Sequence, residues 1–275
     1  MQHMANLTQQ EAGAAHSDAT RAENAIEVAN LVHIYAGAQG PVPALEDISI
    51  SVGSGRFVVI VGPSGCGKTS LLMMLAGLRA QSQGTILCLG SPIPDPDPRR
   101  VGVIFQEASL FPWLSALDNI EFPLSLRGAP RDERRQRAEA MLKLVGLEGF
   151  GERYPHELSG GMKQRVSIAR GLVQDPPVLL MDEPFAALDE QTRMTMGHEL
   201  LRIWSMTSKT VVFITHSLTE AVYLADEVLV MSARPGRIID RIEITLPRPR
   251  NYEMMATDVF GQLRERIWHQ IRKAE

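Results

Sequence analysis

The distribution of apolar residues predicts short strands before and after a helical middle section. The run Phe57–Val61 is apolar at every position, which is typical of a strand buried on both faces of a parallel sheet. Comparable runs predict further strands at Ile26–Ile34, Leu45–Val52, Gly84–Leu89, Val101–Phe105, Val178–Met181, Thr210–Thr215 and Glu227–Met231. Helical stretches of the length that βαβ crossovers need separate the later strands, so the sequence predicts an α/β fold with a parallel sheet.

A helical insertion is predicted in the middle of the chain, at about 107–165. Strand signals fade after Glu107, and the stretch Arg131–Val145 carries apolar residues at helical spacing before Gly146. Another helix is expected to run from the motif LSGGMKQR to about Val173.

The two ends of the chain differ from the main domain, which we place at 25–250. Residues 1–24 are polar and without periodicity, which predicts a disordered tail. For residues 251–275 we expect an amphipathic helix that packs on the body of the protein or, alternatively, on a partner; its apolar positions are Phe260, Leu263, Ile267 and Ile271.

Composition narrows the classes of function. The chain has 28 Lys and Arg against 32 Asp and Glu, a net charge of -4, which disfavours a nucleic-acid partner. No apolar run reaches the roughly 18 residues of a membrane span, so any membrane association is expected to be peripheral. The two cysteines, Cys66 and Cys88, suggest reduced thiols in a cytosolic compartment rather than a disulfide or zinc framework.

The segment GPSGCGKTS, Gly62–Ser70, directly follows the apolar run Phe57–Val61 and precedes a predicted helix, Thr69–Ala76. In this strand–loop–helix order, backbone N–H groups and the positive end of the helix can hold phosphates. Lys68 would then pair with the β- and γ-phosphates, and the Thr69 hydroxyl would bind Mg²⁺. The alternative is a glycine-rich turn that binds nothing.

Two further motifs suit nucleotide hydrolysis. The strand Val178–Met181 is followed by Asp182 and Glu183, which would lie at the carboxyl edge of the sheet. Asp182 would be a partner of Mg²⁺, and Glu183 would be the base that activates the attacking water. The motif LSGGMKQR places Ser159 and two glycines at a helix N-terminus, which is a second possible anion site. One bound nucleotide does not need both anion sites from the same subunit. A solvated acidic strand end is the alternative for the two acids.

Taken in order, six motifs resemble the nucleotide-binding subunit of ABC transporters over roughly Ile26–Arg250. They are the loop Gly62–Thr69, Gln106 in VIFQE, the LSGGMKQR signature, the LLMDEP strand, Leu188-Asp189 in AALD, and His216 in ITHS. The resemblance implies an ABC-type P-loop ATPase with a mixed sheet core, an antiparallel β subdomain and an inserted α-helical subdomain. Its cofactors would be ATP and Mg²⁺.

The resemblance also implies roles for individual residues. Glu183, His216 and Gln106 would be catalytic, and Thr69, Gln106 and Asp182 would hold Mg²⁺. Tyr35 would stack on adenine, although it could instead be a core tyrosine. Ser159, Gly160 and Gly161 would reach the nucleotide of a second protomer, and Asp189 would link the two sites of this head-to-tail dimer. The remaining nucleotide-binding residues would be Gly62, Pro63, Ser64, Gly65, Cys66, Gly67, Lys68, Thr69 and Ser70.

Two longer stretches, EASLFPWLSALDNIEFPL and MSARPGRIIDRIEITLPRPR, resemble the nitrate/sulfonate/taurine importer group. This resemblance implies a homodimer docked on integral-membrane permease subunits and served indirectly by a solute-binding protein. The subunit would lie peripherally on the cytoplasmic face of the bacterial inner membrane. Apolar bulk at Leu110–Trp113 would receive the permease, unless it packs internally.

The rival function is a soluble ABC ATPase that acts on a macromolecular partner. Tandem ATPase modules or long coiled-coil insertions would favour it, and the sequence has neither. The transported solute stays open among nitrate, alkanesulfonates, taurine, other small organic anions and pyrimidine vitamin precursors.

Overall fold

The structure is a computed structural model that describes residues 24–37 and 40–274. A four-stranded antiparallel sheet has the order β2-β1-β4-β5. Its strands are β1 (Asn24–Gly37), β2 (Gly40–Gly53), β4 (Gln83–Cys88) and β5 (Ser91–Pro92). Residues 1–23 of the predicted tail lie outside the described residues. The last residue of that tail, Asn24, is instead the first residue of β1, so the predicted boundary is one residue too late.

A six-stranded sheet has the order β10-β9-β3-β8-β7-β6. Strands β9, β3, β8, β7 and β6 are parallel, and β10 is antiparallel to β9. This arrangement confirms the predicted α/β class with a mixed sheet and an antiparallel subdomain. The strands are β3 (Phe57–Val61), β6 (Val101–Ile104), β7 (Val178–Asp182), β8 (Thr210–Ile214), β9 (Glu227–Met231) and β10 (Ile238–Glu243).

Seven α-helices complete the described part of the chain. They are α1 (Lys68–Leu75), α2 (Ala116–Leu126), α3 (Arg131–Leu144), α4 (Gly160–Leu172), α5 (Glu190–Thr207), α6 (Leu218–Leu224) and α7 (Asp258–Lys273). Helices α2, α3 and α4 pack on one another and form the helical insertion. The predicted limit of 165 falls inside α4, because that helix continues to Leu172 along a buried face that packs on β6.

Alternate side chains of β3 enter two different cores. Phe57, Val59 and Val61 belong to the core that includes α6 and the helical insertion, whereas Val58 and Ile60 belong to the core that includes α1 and the antiparallel sheet. Both faces of the strand are therefore buried, which explains its uninterrupted apolar run. The same arrangement fixes the loop after Val61 at the carboxyl edge of the sheet.

The C-terminal helix packs on the body of the protein. Phe260 and Ile267 of α7 are fully buried, and the helix contacts α6, β9 and β10. It begins at Asp258 rather than at 251, because Asn251 caps a separate 3₁₀ turn, Tyr252–Ala256, and Thr257 then caps the helix. None of the helices in the described ranges has both the length and the apolar character of a membrane span.

Candidate active site

The loop between β3 and α1 has the backbone geometry that an anion-binding loop needs. Gly67, directly before α1, has φ of 105°, and a Cβ there would lie 2.6 Å from Leu45 Cδ2. Both the left-handed backbone and the close contact require glycine. Because the helix begins at Lys68, its unbonded N–H groups lie beside the loop.

Lys68 is buried, and its ammonium group is held within the loop. Lys68 Nζ donates hydrogen bonds to the carbonyl oxygens of Gly62 at 2.8 Å and Pro63 at 3.0 Å. Cys66 Sγ lies 3.8 Å from the same nitrogen. A buried cation next to backbone donors is the charge pattern that a phosphate group requires. The exposed Ser64 and Gly65 form the outer part of the loop.

Asp182 ends β7 next to the first turn of α1 and is 5% exposed. Burial raises the pKa of this carboxyl, and the neighbouring Glu183 acts in the same direction. A hydrogen bond from the Thr69 hydroxyl and the charge of Lys68 lower the pKa and partly offset the effect of burial. The contact with Thr69 joins the acidic strand end to the helix that follows the loop.

Glu183 lies one residue further along, in a backbone conformation that is uncommon for a side-chain-bearing residue. Its φ is 44°, and its N–H donates to Ile214 O of β8 at 2.9 Å. Its carboxylate Oε2 lies 3.0 Å from Nδ1 of His216. The side chain of His216 is 62% exposed and that of Glu183 is 21% exposed. The pair is thus fixed by two neighbouring strands and is accessible to a ligand.

Sequence reasoning missed the residues that hold the segment around His216. Thr215 Oγ1 donates to Glu220 Oε2 at 2.5 Å and accepts from the N–H of Ser217 at 2.9 Å. Burial raises the pKa of Glu220, against the opposing effects of Thr215 and Arg193. Arg193 Nε lies 3.5 Å from Glu220 Oε1, so an ion pair connects α5 with α6, the helix that follows His216. The contacts among Thr215, Ser217 and Glu220 are local, whereas the ion pair with Arg193 joins two separate helices. Only the polar character of the segment around His216 could have indicated them from the sequence.

Tyr35 lies near the end of β1 and is half-buried. Its hydroxyl is 2.7 Å from Ser70 Oγ, on the helix that follows the phosphate loop. The guanidinium carbon of Arg79 lies 4.9 Å from the centre of the Tyr35 ring, and His33 packs edge-on against it. The structure therefore places the tyrosine beside the loop, as an adenine-stacking role requires.

The remaining predicted residues lie on three other segments. Gln106 is exposed and follows β6. The residue before it, Phe105, accepts a hydrogen bond of 3.1 Å at its carbonyl oxygen from Gln164 of α4, the helix that begins in the LSGGMKQR signature. Ser159 caps α4 by accepting from the N–H of Met162. Gly160 and Gly161 form the first turn, where a Cβ on Gly161 would lie 3.3 Å from Leu188 Cδ2.

Asp189 caps α5 through a hydrogen bond of 2.9 Å from the N–H of Thr192, which lowers the pKa of its carboxyl. Within 24–37 and 40–274, no hydrogen bond joins Ser159, Gly160, Gly161 or Asp189 to the phosphate loop. The structure thus brings together the loop, Tyr35, Asp182, Glu183 and His216, but leaves the signature and Asp189 separate.

The donors next to the loop suit Mg²⁺ bound together with phosphates. Thr69 and Asp182 offer a hydroxyl and a carboxylate in mutual contact, and Mg²⁺ prefers such oxygen ligands. The described residues include no cluster of three or more His, Cys, Asp or Glu that could hold a metal by itself. A phosphate loop, a buried acid and a Glu–His pair at one sheet edge define the class of P-loop nucleotide hydrolases.

Comparison with known proteins narrows this class. The family model for ABC transporter matches residues 45–186. An uncharacterized ABC transporter ATP-binding protein of Methanocaldococcus jannaschii is 50% identical over 226 residues, covering 82% of this chain and 84% of that protein. The taurine import ATP-binding protein TauB of Pseudomonas putida is 48% identical over 219 residues, covering 80% and 82%.

Solved structures agree with the sequence comparison. A dimeric ATP-binding cassette, in a post-hydrolysis state bound to ADP and Pi, aligns with a TM-score of 0.75 and 32% identity, covering 81% of this chain and all of that one. The chain belongs to the ABC transporter family, and it is an ABC-type ATPase.

Proposed function

We propose that this chain is the ATP-hydrolysing subunit of an importer for small anions of the nitrate, sulfonate and taurine type. The observation that carries the ATP-hydrolysing role is the Glu183–His216 pair at 3.0 Å, on the same sheet edge as Lys68 and Asp182. A subunit that only sensed nucleotide would not need a carboxylate in this position. The TauB relative supports an import role for this ATPase.

Lys68 and the loop N–H groups would bind the β- and γ-phosphates, and Tyr35 would stack on the adenine. Thr69 and Asp182, with Gln106, would hold Mg²⁺, which when bound neutralises phosphate charge and orients the γ-phosphate. Glu183 would accept a proton from the water that attacks the γ-phosphorus. His216 would contact the γ-phosphate and, through Nδ1, keep the Glu183 carboxylate in place.

A complete site would require a second copy of the chain. The signature helix α4 packs on β6, which is three strands away from β3 in the sheet, roughly 14 Å at usual strand spacing. Ser159 and Gly160 are exposed there, at an N-terminus that can bind an anion. In a head-to-tail dimer these residues would reach the partner's γ-phosphate, and Asp189 would connect the two sites. The dimeric cassette bound to ADP and Pi supports this arrangement.

The surface near Gln106 would receive the permease. Trp113 is 69% exposed and packs tilted against Phe111, which in turn contacts Phe122. An exposed tryptophan on an aromatic base is typical of an interface anchor. Docking there would place the subunit on the cytoplasmic face of the bacterial inner membrane and link Gln106 to the state of the permease.

Reconstitution tests the proposal. The subunit, its permease and the solute-binding protein would be placed in proteoliposomes, and ATP hydrolysis measured with taurine, an alkanesulfonate or nitrate outside. We expect solute-dependent stimulation by one of these anions and no stimulation without the solute-binding protein. Hydrolysis by a subunit that binds no permease, but responds to a macromolecule, would support the soluble alternative instead.

A further inference from the structure

The connection between β9 and β10 passes behind the phosphate loop. We call residues Ser232–Arg237 the Arg234 turn. Ser232 closes it: its hydroxyl bonds to Ala233 O at 3.0 Å and to Pro235 O at 3.1 Å, and accepts from the N–H of Arg237 at 3.0 Å. The turn therefore has a defined shape of its own.

Other elements hold the Arg234 turn from two sides. Gly236 exchanges backbone hydrogen bonds with β2, donating to Ala44 O at 2.9 Å and accepting from the N–H of Glu46 at 3.0 Å. Arg237 adds an ion pair with Glu46 at 2.6 Å. On the other side, the N–H of Ala233 donates to Ala274 O, just after α7, at 3.0 Å. The turn is thus held between β2 and the end of α7 by hydrogen bonds on both sides.

The same turn contacts the phosphate loop in two places. Arg234 Nη2 donates to Gly65 O at 3.2 Å, across 169 positions of sequence. At Gly236 a Cβ would lie only 2.1 Å from Cys66 O, so the two backbones touch. Gly65 has φ of 75°, and glycine has little intrinsic preference between positive and negative φ. Its peptide orientation therefore depends on what its carbonyl oxygen contacts.

We propose that Arg234 is a positioning residue for nucleotide binding, which rests on the proposed role of Gly62–Thr69 as the phosphate site. By binding Gly65 O, the guanidinium holds this carbonyl away from the phosphates and keeps the loop N–H groups directed at them. It also adds positive charge at the rim of an anion site. A preorganised set of donors binds a charged group more tightly than one that must be ordered first.

The test measures the Kd of MgADP for the full chain by calorimetry. Arg234→Ala is expected to weaken binding by about three- to tenfold, the range for one ordinary hydrogen bond, because the Arg234 side chain is exposed to solvent. Arg234→Lys should recover part of the affinity, since it restores a cationic donor. The matched control is Arg241→Ala, because Arg241 also donates to a carbonyl of the neighbouring sheet, Ser49 O at 2.9 Å, but away from the loop. Its Kd should change by less than about twofold.

Lys68→Ala separates failure of this inference from failure of the phosphate site. If Lys68→Ala leaves MgADP binding intact, the phosphate site itself is misplaced. If Lys68→Ala abolishes binding while Arg234→Ala binds as tightly as the wild type, the positioning role is wrong. Equal losses in Arg234→Ala and Arg241→Ala would also overturn it, because they would indicate a general effect on the fold. Arg234→Met, which keeps the apolar stem without donors, should match Arg234→Ala and covers a failure of that variant to fold.

Discussion

The imidazole Nδ1 of His216 lies 3.0 Å from Oε2 of Glu183, although 33 positions separate the two residues. Glu183 directly follows β7 and His216 follows β8, and these neighbouring parallel strands are in register from Val178 with Thr210 to Asp182 with Ile214. The contact is therefore set by the sheet, and its two residues are expected to act as a unit.

Glu183→Gln should lower steady-state ATP hydrolysis by about 10²- to 10⁴-fold, the usual contribution of a general base. The amide has the shape of the carboxylate but cannot take the proton, so the affinity for MgATP should change little. Phosphate release and MgATP titration on the same preparation measure both effects. Glu139→Gln, an exposed position on α3, serves as the control. Turnover of the Glu183→Gln protein near the wild-type rate would remove the base assignment.

His216→Ala should reduce kcat while leaving MgATP affinity within a few-fold of the wild type. If His216 acts partly by holding Glu183, its loss should matter less once the carboxylate is gone. The double variant with Glu183→Gln should then be less than additive, by at least about 0.5 kcal/mol of coupling. Additive losses would show that the two residues act separately. The control is His269→Ala on α7, which removes a histidine away from the site and should leave kcat unchanged.

The phosphate loop could be predicted from sequence because the residues that identify it are contiguous, from the apolar strand through the glycines to Lys68. Val58 and Ile60 face one core and Val59 the other, so the apolar run fixes β3, and the glycines that follow it allow the turn. The predicted bounds Phe57–Val61 are confirmed. The predicted strand Val178–Met181 has the correct start but ends one residue too early, because β7 continues to Asp182.

Features that depend on distant partners could not be predicted in this way. Strand β10 was missed because it is an edge strand next to β9, half-exposed, with polar Asp240 and Arg241 among its isoleucines. The support of Gly65 by Arg234 is equally hidden, because nothing near either residue identifies the other as its partner. Ser159 could be identified only through its motif, because the nucleotide that it is proposed to contact would be bound to a second copy of the chain.

Ser159→Arg and Lys68→Ala should separate the two halves of a composite site. Lys68→Ala removes a cation inside the loop and should weaken nucleotide binding by the single subunit about tenfold or more. Ser159→Arg adds bulk on an exposed helix end and should spare that binding but block ATP-driven dimerisation. Titration and size-exclusion chromatography, both in a Glu183→Gln background, measure the two effects. Equal loss of nucleotide binding in both variants would contradict the composite site.

Asp182→Asn should stabilise the isolated subunit at neutral pH in the absence of nucleotide and Mg²⁺. Because burial raises the pKa of Asp182, the folded chain binds its proton more readily than the unfolded chain does. The contribution of this carboxyl to the free energy of unfolding therefore falls as pH rises from the ordinary carboxyl pKa of about 4 through the raised value. Asparagine removes this cost, and we expect the unfolding temperature to rise at pH 7.

The gain from Asp182→Asn should shrink as the pH falls through the raised pKa of Asp182, since the wild-type carboxyl then takes up a proton. Asp189→Asn is the matched contrast, because a hydrogen bond from the N–H of Thr192 lowers the pKa of Asp189. Its charge stabilises the fold above the ordinary carboxyl pKa, so this substitution should lower the unfolding temperature at pH 7. Thermal melts of both variants at several pH values give the answer, and a pH-independent gain for Asp182→Asn would rule out the titration argument.

Trp113→Ala tests whether the exposed aromatic surface binds the permease. At 69% exposure the indole contributes little to the core of the subunit, so its unfolding temperature should stay within about 2 °C and nucleotide binding should be unchanged. An anchor at an interface typically costs about 2 kcal/mol or more on truncation, so the affinity for the permease should fall about thirtyfold.

Leu126→Ala is the control, because this side chain is 74% exposed at the far end of α2, roughly 15 Å from its start. We expect coupled transport to be lost with Trp113→Ala and kept with Leu126→Ala. A large drop in the unfolding temperature of the isolated Trp113→Ala subunit would instead assign the tryptophan to internal packing.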